Sequence, residues 1–137
     1  MIFMTKKMSL ITCFNLAFHE ISIKIKEKNL GGITMTTLYK IYIGLNDQET
    51  KKQEIDTVTA MDIISTYLAN HFEGATVYNG IGVYKHEGGT IVKENSLIVE
   101  LVYVEDDQVN DLINHVKEIL NQESIMKVKI KCDCDFC

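Results

Sequence analysis

The chain has 137 residues and a formal net charge of −5, and all 14 of its basic residues are Lys, with no Arg, Pro or Trp. That length fits one domain around one core. An acidic chain without Arg is poorly suited to a phosphate backbone, which clustered Lys and Arg hold, so nucleic acid is excluded from the expected partners.

Residues 1–34 read as a segment apart. Leu30-Gly31-Gly32-Ile33-Thr34 precedes Met35. Written in the A/T-rich codons that a Lys-only chain suggests, it contains AGGAGG roughly seven nucleotides before the Met35 codon, the spacing of a bacterial ribosome-binding sequence. We therefore expect residues 1–34 to be translated leader and the domain to begin at Met35. Two other readings compete, an ordered extension and a targeting segment. Lys6-Lys7 followed by the apolar run from Met8 to Phe18 has the order of a signal peptide, but Thr12 and Asn15 interrupt it and no small-x-small cleavage site follows. That run is also short of the about 20 apolar residues that span a bilayer, so no membrane partner is expected. Without the leader the net charge becomes −8, because five Lys and only Glu20 and Glu27 leave with it.

Leu38 to Ile43 is aromatic and β-branched and alternates, so it predicts a strand. Gly44 to Thr57 is polar and aperiodic, a long loop. Thr59 precedes a helix from Ala60 to Phe72, with Asp62 at the capping-box offset and Gly74 as its stop. Ala60, Ile63, Ile64, Tyr67 and Leu68 make its apolar stripe. Ala75 to Lys85 predicts a second strand, in which Gly80 and Gly82 mark a bulge or a close backbone approach.

His86 to Thr90 is a hairpin turn. Ile91 to Asn95 extends the hairpin through an irregularity into a central strand, Ser96 to Val104, apolar on both faces apart from Glu100. Glu105 to Gln108 opens a second helix with acidic residues, which the helix dipole favours. Its buried stripe is Val109, Leu112, Ile113, Val116, Ile119 and Leu120. Ser124 to Ile130 is the last strand.

The order β-α-β-β-α-β predicts an α+β, ferredoxin-like domain over residues 35–131. It has a four-stranded antiparallel sheet, two helices on one face, and a Cys-rich tail at 132–137. The other sheet face must meet solvent, a ligand or another subunit, so we expect a homo-oligomer, dimer or trimer, packing through sheet faces or edges.

Ser96 to Val116, "SLIVELVYVEDDQVNDLINHV", resembles the central strand and second helix of PII-type signalling proteins and their CutA relatives. Gly80-Ile81-Gly82 stands where PII proteins have a Gly-x-Gly before their mobile loop. The resemblance implies ferredoxin-like trimers that bind small ligands between subunits. The chain departs from PII proteins at Asn121 to Ser124, which has no glycine for a nucleotide loop, and in its short turn from Lys85 to Thr90. The core, with "YKIYIGLND" and "KENSLIVEL", is also similar to small uncharacterised proteins of phages and low-GC Gram-positive bacteria, which implies the same fold and no particular activity.

Three groups of residues have usable chemistry. Cys132, Cys134 and Cys137 have C-x-C-x-x-C spacing that suits one soft cation such as zinc, although a frayed Cys-rich tail fits the same pattern. With Cys13 in the leader and the other three crowded at the C-terminus, none staples the fold, which suits a reducing cytoplasm. Lys85 and His86 in the hairpin, with Lys93 and Glu94 opposite, suit an anionic or polar ligand, or else form a solvated hairpin tip. Glu100 shares a strand face with Ile98 and Val102, and Tyr42 lies nearby on the first strand. Glu94, Glu100 and Glu123 are candidates for an acidic cluster holding a cation or polar ligand or serving as an acid/base pair, against a plain ion pair of Glu100 with Lys40.

No nucleophile–base pairing, P-loop or dinucleotide fingerprint is present. The expected function is therefore a cytoplasmic, non-catalytic regulator of phage or mobile-element type, binding a small ligand or a protein at subunit interfaces without a required cofactor. The alternatives are a small enzyme using sheet-face carboxylates and metal binding by the Cys tail.

Overall fold

The structure is a computed structural model and describes residues 35–137. The leader reading of residues 1–34 lies outside the described residues. Thr37–Ile130 form one compact unit, beyond which lie Lys131–Cys137. The elements are β1 (Thr36–Gly44), α1 (Thr57–His71), β2 (Thr76–Lys85), β3 (Ile91–Val102), α2 (Asp106–Ile119) and β4 (Met126–Cys132). They form one sheet in the order β2-β3-β1-β4, with β3 antiparallel to both neighbours. This is the expected ferredoxin-like βαββαβ fold. None of the described helices is long and apolar enough to cross a membrane.

Period-two alternation puts odd-numbered residues of β1 and β3 on one face and even-numbered ones on the other. The odd face carries Tyr39, Ile41 and Ile43 against Leu97, Val99 and Leu101. Ala60, Ile64 and Leu68 of α1 and Val109, Leu112 and Val116 of α2 complete one buried cluster with them. Ile119, expected in the stripe of α2, is exposed instead. At the α2 entrance the Tyr39 hydroxyl donates to Asp106 at 2.7 Å. Lys129 also bonds Asp106, at 2.8 Å, so β1, α2 and β4 are tied at one point.

Helix α1 starts earlier than its sequence suggests. Asp56 is the N-cap, and its carboxylate accepts from the Thr59 backbone N–H at 3.0 Å and the Thr59 hydroxyl at 2.6 Å. Thr59 thus lies inside the first turn and Asp62 has no capping role. The helix also stops before Gly74: Phe72 turns to an extended backbone at φ −129° and enters the core.

The hairpin is regular throughout. Its pairing runs without a break from Thr76↔Glu100 to Lys85↔Ile91, so Ile91 to Asn95 belong to β3 and neither Gly80 nor Gly82 marks a bulge. The turn is closed by His86 N–H to the Thr90 carbonyl and Gly89 N–H to the His86 carbonyl, both at 2.9 Å. Gly89 has φ 88°, which a side chain would strain.

Candidate functional site

Among the described residues no helix lies over the even-numbered face of the sheet. Across β2, β3 and β1 it presents one row of Thr76, Glu100 and Lys40, then one of Tyr78, Ile98 and Tyr42, then one of Gly80, Ser96 and Gly44. Beyond these, Gly82 pairs with Glu94. The third row has no side chain larger than a hydroxymethyl, so the surface drops sharply after the tyrosine row. The result is a concavity of about 590 Å³, with Gly44, Gly80, Gly82 and Ser96 as floor and Tyr42, Tyr84, His86 and Glu94 among its walls. That volume lies within the range of small-molecule sites.

The glycines are required by what lies over them. A Cβ on Gly80 would stand 2.7 Å from Ile98 Cδ1, and one on Gly44 would stand 2.7 Å from Glu94 Oε1. A Cβ on Gly82 would come within 3.2 Å of Glu94 Cγ. Gly44 and Gly82 thus leave room for the Glu94 side chain, whose Oε2 also accepts from the Asn46 N–H at 3.3 Å. Ile98, settled over Gly80, is only 5% exposed although it lies on the uncovered face.

One wall is built from two loops far apart in sequence. Asn121 donates to Asp47 at 2.9 Å and accepts from Gln48 at 2.7 Å. Gln122, itself buried, donates to the Asn46 carbonyl at 2.8 Å. The backbone N–H of Thr50, the Asn121 amide and the N–H of Glu49 hold the Asp47 carboxyl below the usual carboxylate range.

Of the expected ligand residues, Tyr42, His86, Glu94 and Glu123 line the concavity, and Lys85, Lys93 and Glu100 do not. The three glutamates are not one cluster. Glu100 instead makes the ion pair with Lys40, at 2.9 Å, and accepts from the Tyr78 hydroxyl at 2.8 Å. Those two bonds, Lys40 first, keep the Glu100 carboxyl below its ordinary value. Cys132 ends β4 and is half-buried like Cys134, whereas Cys137 is exposed. Among the described residues no group of three or more His, Cys, Asp or Glu side chains is placed to hold a metal ion.

Tyr84, Gln122 and the glycine floor escape sequence reading. Gly80 and Gly82 were visible, but the pairing of Gly44 and Gly80 through Ser96 depends on register. Helix α1 holds a further contact that spacing does not reveal. The Tyr67 ring is stacked between His71, at 3.9 Å, and His115, at 4.3 Å.

The family described as Protein of unknown function (DUF3574) matches residues 38–136. No curated protein matches the chain significantly. Among solved structures it is similar to a phage SAM lyase in complex with S-methyl-5'-thioadenosine, at 22% identity and a TM-score of 0.52 over 75% of this chain and 84% of that one. It also resembles CutA1 from Ehrlichia chaffeensis, a divalent ion tolerance protein, at 17% identity and a TM-score of 0.47 over 75% and 88% of the two chains. CutA1 from Pyrococcus horikoshii is similar at 15% identity and a TM-score of 0.45, over 72% and 86%.

Proposed function

The chain belongs to the family described as Protein of unknown function (DUF3574), and within it we propose that this protein binds a small ligand on the open face of its sheet. The observation that carries this reading is the floor of Gly44, Gly80, Gly82 and Ser96 sunk between aromatic and carboxylate walls. A row of three paired small residues, Gly80, Ser96 and Gly44, with Gly82 beside it, lets Ile98 and Glu94 settle low and leaves a hollow that a purely structural sheet would fill with side chains. The phage SAM lyase of similar fold is described with S-methyl-5'-thioadenosine bound, which makes that thioether nucleoside the first ligand to try.

The protein acts as a homo-oligomer, a dimer or trimer. Support comes from the far end of the hairpin, where Ile81, Val83 and Ile91 are 62%, 62% and 66% exposed on one face of the sheet at its β2 edge. Such an apolar edge, unpaired among the described residues, is a liability unless covered. Static light scattering on the whole chain should give a mass of two or three chains, and Val83→Lys should reduce it to one; a wild-type monomer would remove this part of the reading.

The test of the site is thermal denaturation with S-methyl-5'-thioadenosine and, separately, ATP. A ligand at 100 times its Kd stabilises the native state by about 2.7 kcal/mol. The thioether nucleoside should raise Tm and ATP should not, because Lys51 and His86 are the basic residues that line the cavity. No shift with the nucleoside, or an equal shift with ATP, rejects the reading. A second reading, a lyase using sheet-face carboxylates on the sulfonium precursor of the same nucleoside, is favoured by the lyase of similar fold. Mass-spectrometric detection of S-methyl-5'-thioadenosine formed from S-adenosylmethionine would select it, and intact S-adenosylmethionine after prolonged incubation would reject it.

A further inference from the structure

The open face holds two carboxylates in opposite circumstances. Glu100 is neutralised by Lys40 and bonded by the Tyr78 hydroxyl. Glu94 stands on the same strand and the same face, and its partner is the Asn46 N–H. Among the described residues no Lys or His lies within ion-pair distance of it. Its side chain is half-buried and lies over Gly44 and Gly82, so two strands have given up side chains at the place it occupies. A carboxylate partly removed from water is costly to leave without a countercharge.

Apart from Lys51, the rest of the lining points the same way. Tyr42, Tyr84 and His86 supply rings, and Tyr84 and His86 meet edge to face with centroids 5.4 Å apart. Glu123 adds negative charge to the rim. Asp47 does not compete for a ligand, since its oxygens are occupied by Glu49, Thr50 and Asn121. Aromatic walls beside an unneutralised carboxylate attract a cation both through the ring faces and by direct pairing.

We infer that Glu94 recognises the positive charge of an organic cation whose flat ring system lies among Tyr42, Tyr84 and His86. This rests on the open-face ligand reading and narrows it from small molecules in general to cations such as a sulfonium nucleoside. The neutral thioether of the same nucleoside has the ring system without the charge. Glu94 is then a specificity-determining residue, and the glycines beside it are positioning residues.

Calorimetric titration of the whole chain with S-adenosylmethionine and with S-methyl-5'-thioadenosine separates charge from ring. The cation should bind at least about tenfold more tightly than the neutral thioether, and Glu94→Gln should abolish that preference while leaving the thioether within about threefold of its wild-type affinity. Gly44→Ala offers a second route, since its methyl group displaces the Glu94 carboxylate without changing charge, and it should weaken the cation selectively. Wild-type protein that binds the two equally overturns the charge inference alone. So does a Glu94→Gln variant that loses both ligands together. Wild-type protein that binds neither ligand overturns the open-face reading as well.

Discussion

The two faces of this sheet follow the same alternation and end in opposite states. On one, every inward position from Tyr39 to Ile43 and from Leu97 to Leu101 is filled and covered by helices. On the other, a row of Gly80, Ser96 and Gly44 leaves a hollow beside tyrosines. The covered face is organised for stability, and the open one gives up buried area in exchange for a shaped surface. Substitutions on the two faces should therefore separate stability from binding.

The largest expected effect lies on the covered side. Leu112→Ala removes a side chain with no exposed surface, and should lower unfolding free energy by about 2–5 kcal/mol in urea denaturation. Gly80→Val is the counterpart on the open side. Its Cβ would meet Ile98 Cδ1 at 2.7 Å, a flexible end that yields, so the stability cost should be nearer about 1–3 kcal/mol. Ligand affinity should vanish, and a variant that binds normally would show that the hollow is not the site.

Acid should act on both faces. Hydrogen bonds from Lys129 and then Tyr39 hold the Asp106 carboxyl below its ordinary 3.8, and bonds from Lys40 and then Tyr78 hold Glu100 below 4.5. A carboxyl depressed in the folded state stabilises the fold above its unfolded value. That stability is lost as pH falls through the folded value. Tm should therefore drop as pH falls below about 4.5, through Glu100 and the aspartates together. Asp106→Asn and Glu100→Gln, scanned from pH 2 to 7, should each flatten part of this decline; an unchanged profile in both would place the acid sensitivity elsewhere.

At neutral pH the Lys40–Glu100 pair is a small contributor. Lys40→Met should leave the midpoint of chemical denaturation almost unchanged, as for other solvent-screened ion pairs. Smallest of all, Val58→Ser at an exposed helix position should stay within about 0.5 kcal/mol on the same measurement.

The fold was legible because the determinants of each element are local. The alternation of Leu38 to Ile43 and of Leu97 to Leu101, and the 3.6-residue stripes of both helices, can be read within single segments. Boundaries failed where a side chain chose between equivalent local bonds, as when Asp56 rather than Thr59 capped α1. The site was half legible. Tyr42, His86 and Glu94 stand out by type, but their convergence depends on which residue faces which across three strands. The choice between Glu94 and Glu100 depends on Lys40 standing opposite Glu100 and not opposite Glu94. No local pattern announces that Asn121 will meet Asp47.

That last contact bears on the order in which the molecule assembles. The β2–β3 hairpin closes over a turn from His86 to Thr90, a short loop of the kind that forms in microseconds. The Asn121–Asp47 and Gln122–Asn46 bonds join positions 74 and 76 residues apart, and their formation waits on nearly the whole chain. The hairpin part of the floor (Gly80, Gly82 and Ser96) and the loop wall thus belong to different stages of folding. Thermal opening should proceed in reverse, releasing the loop wall while the hairpin floor still stands, so amides of Asp47 and Gln122 should exchange their protons well before those of β3.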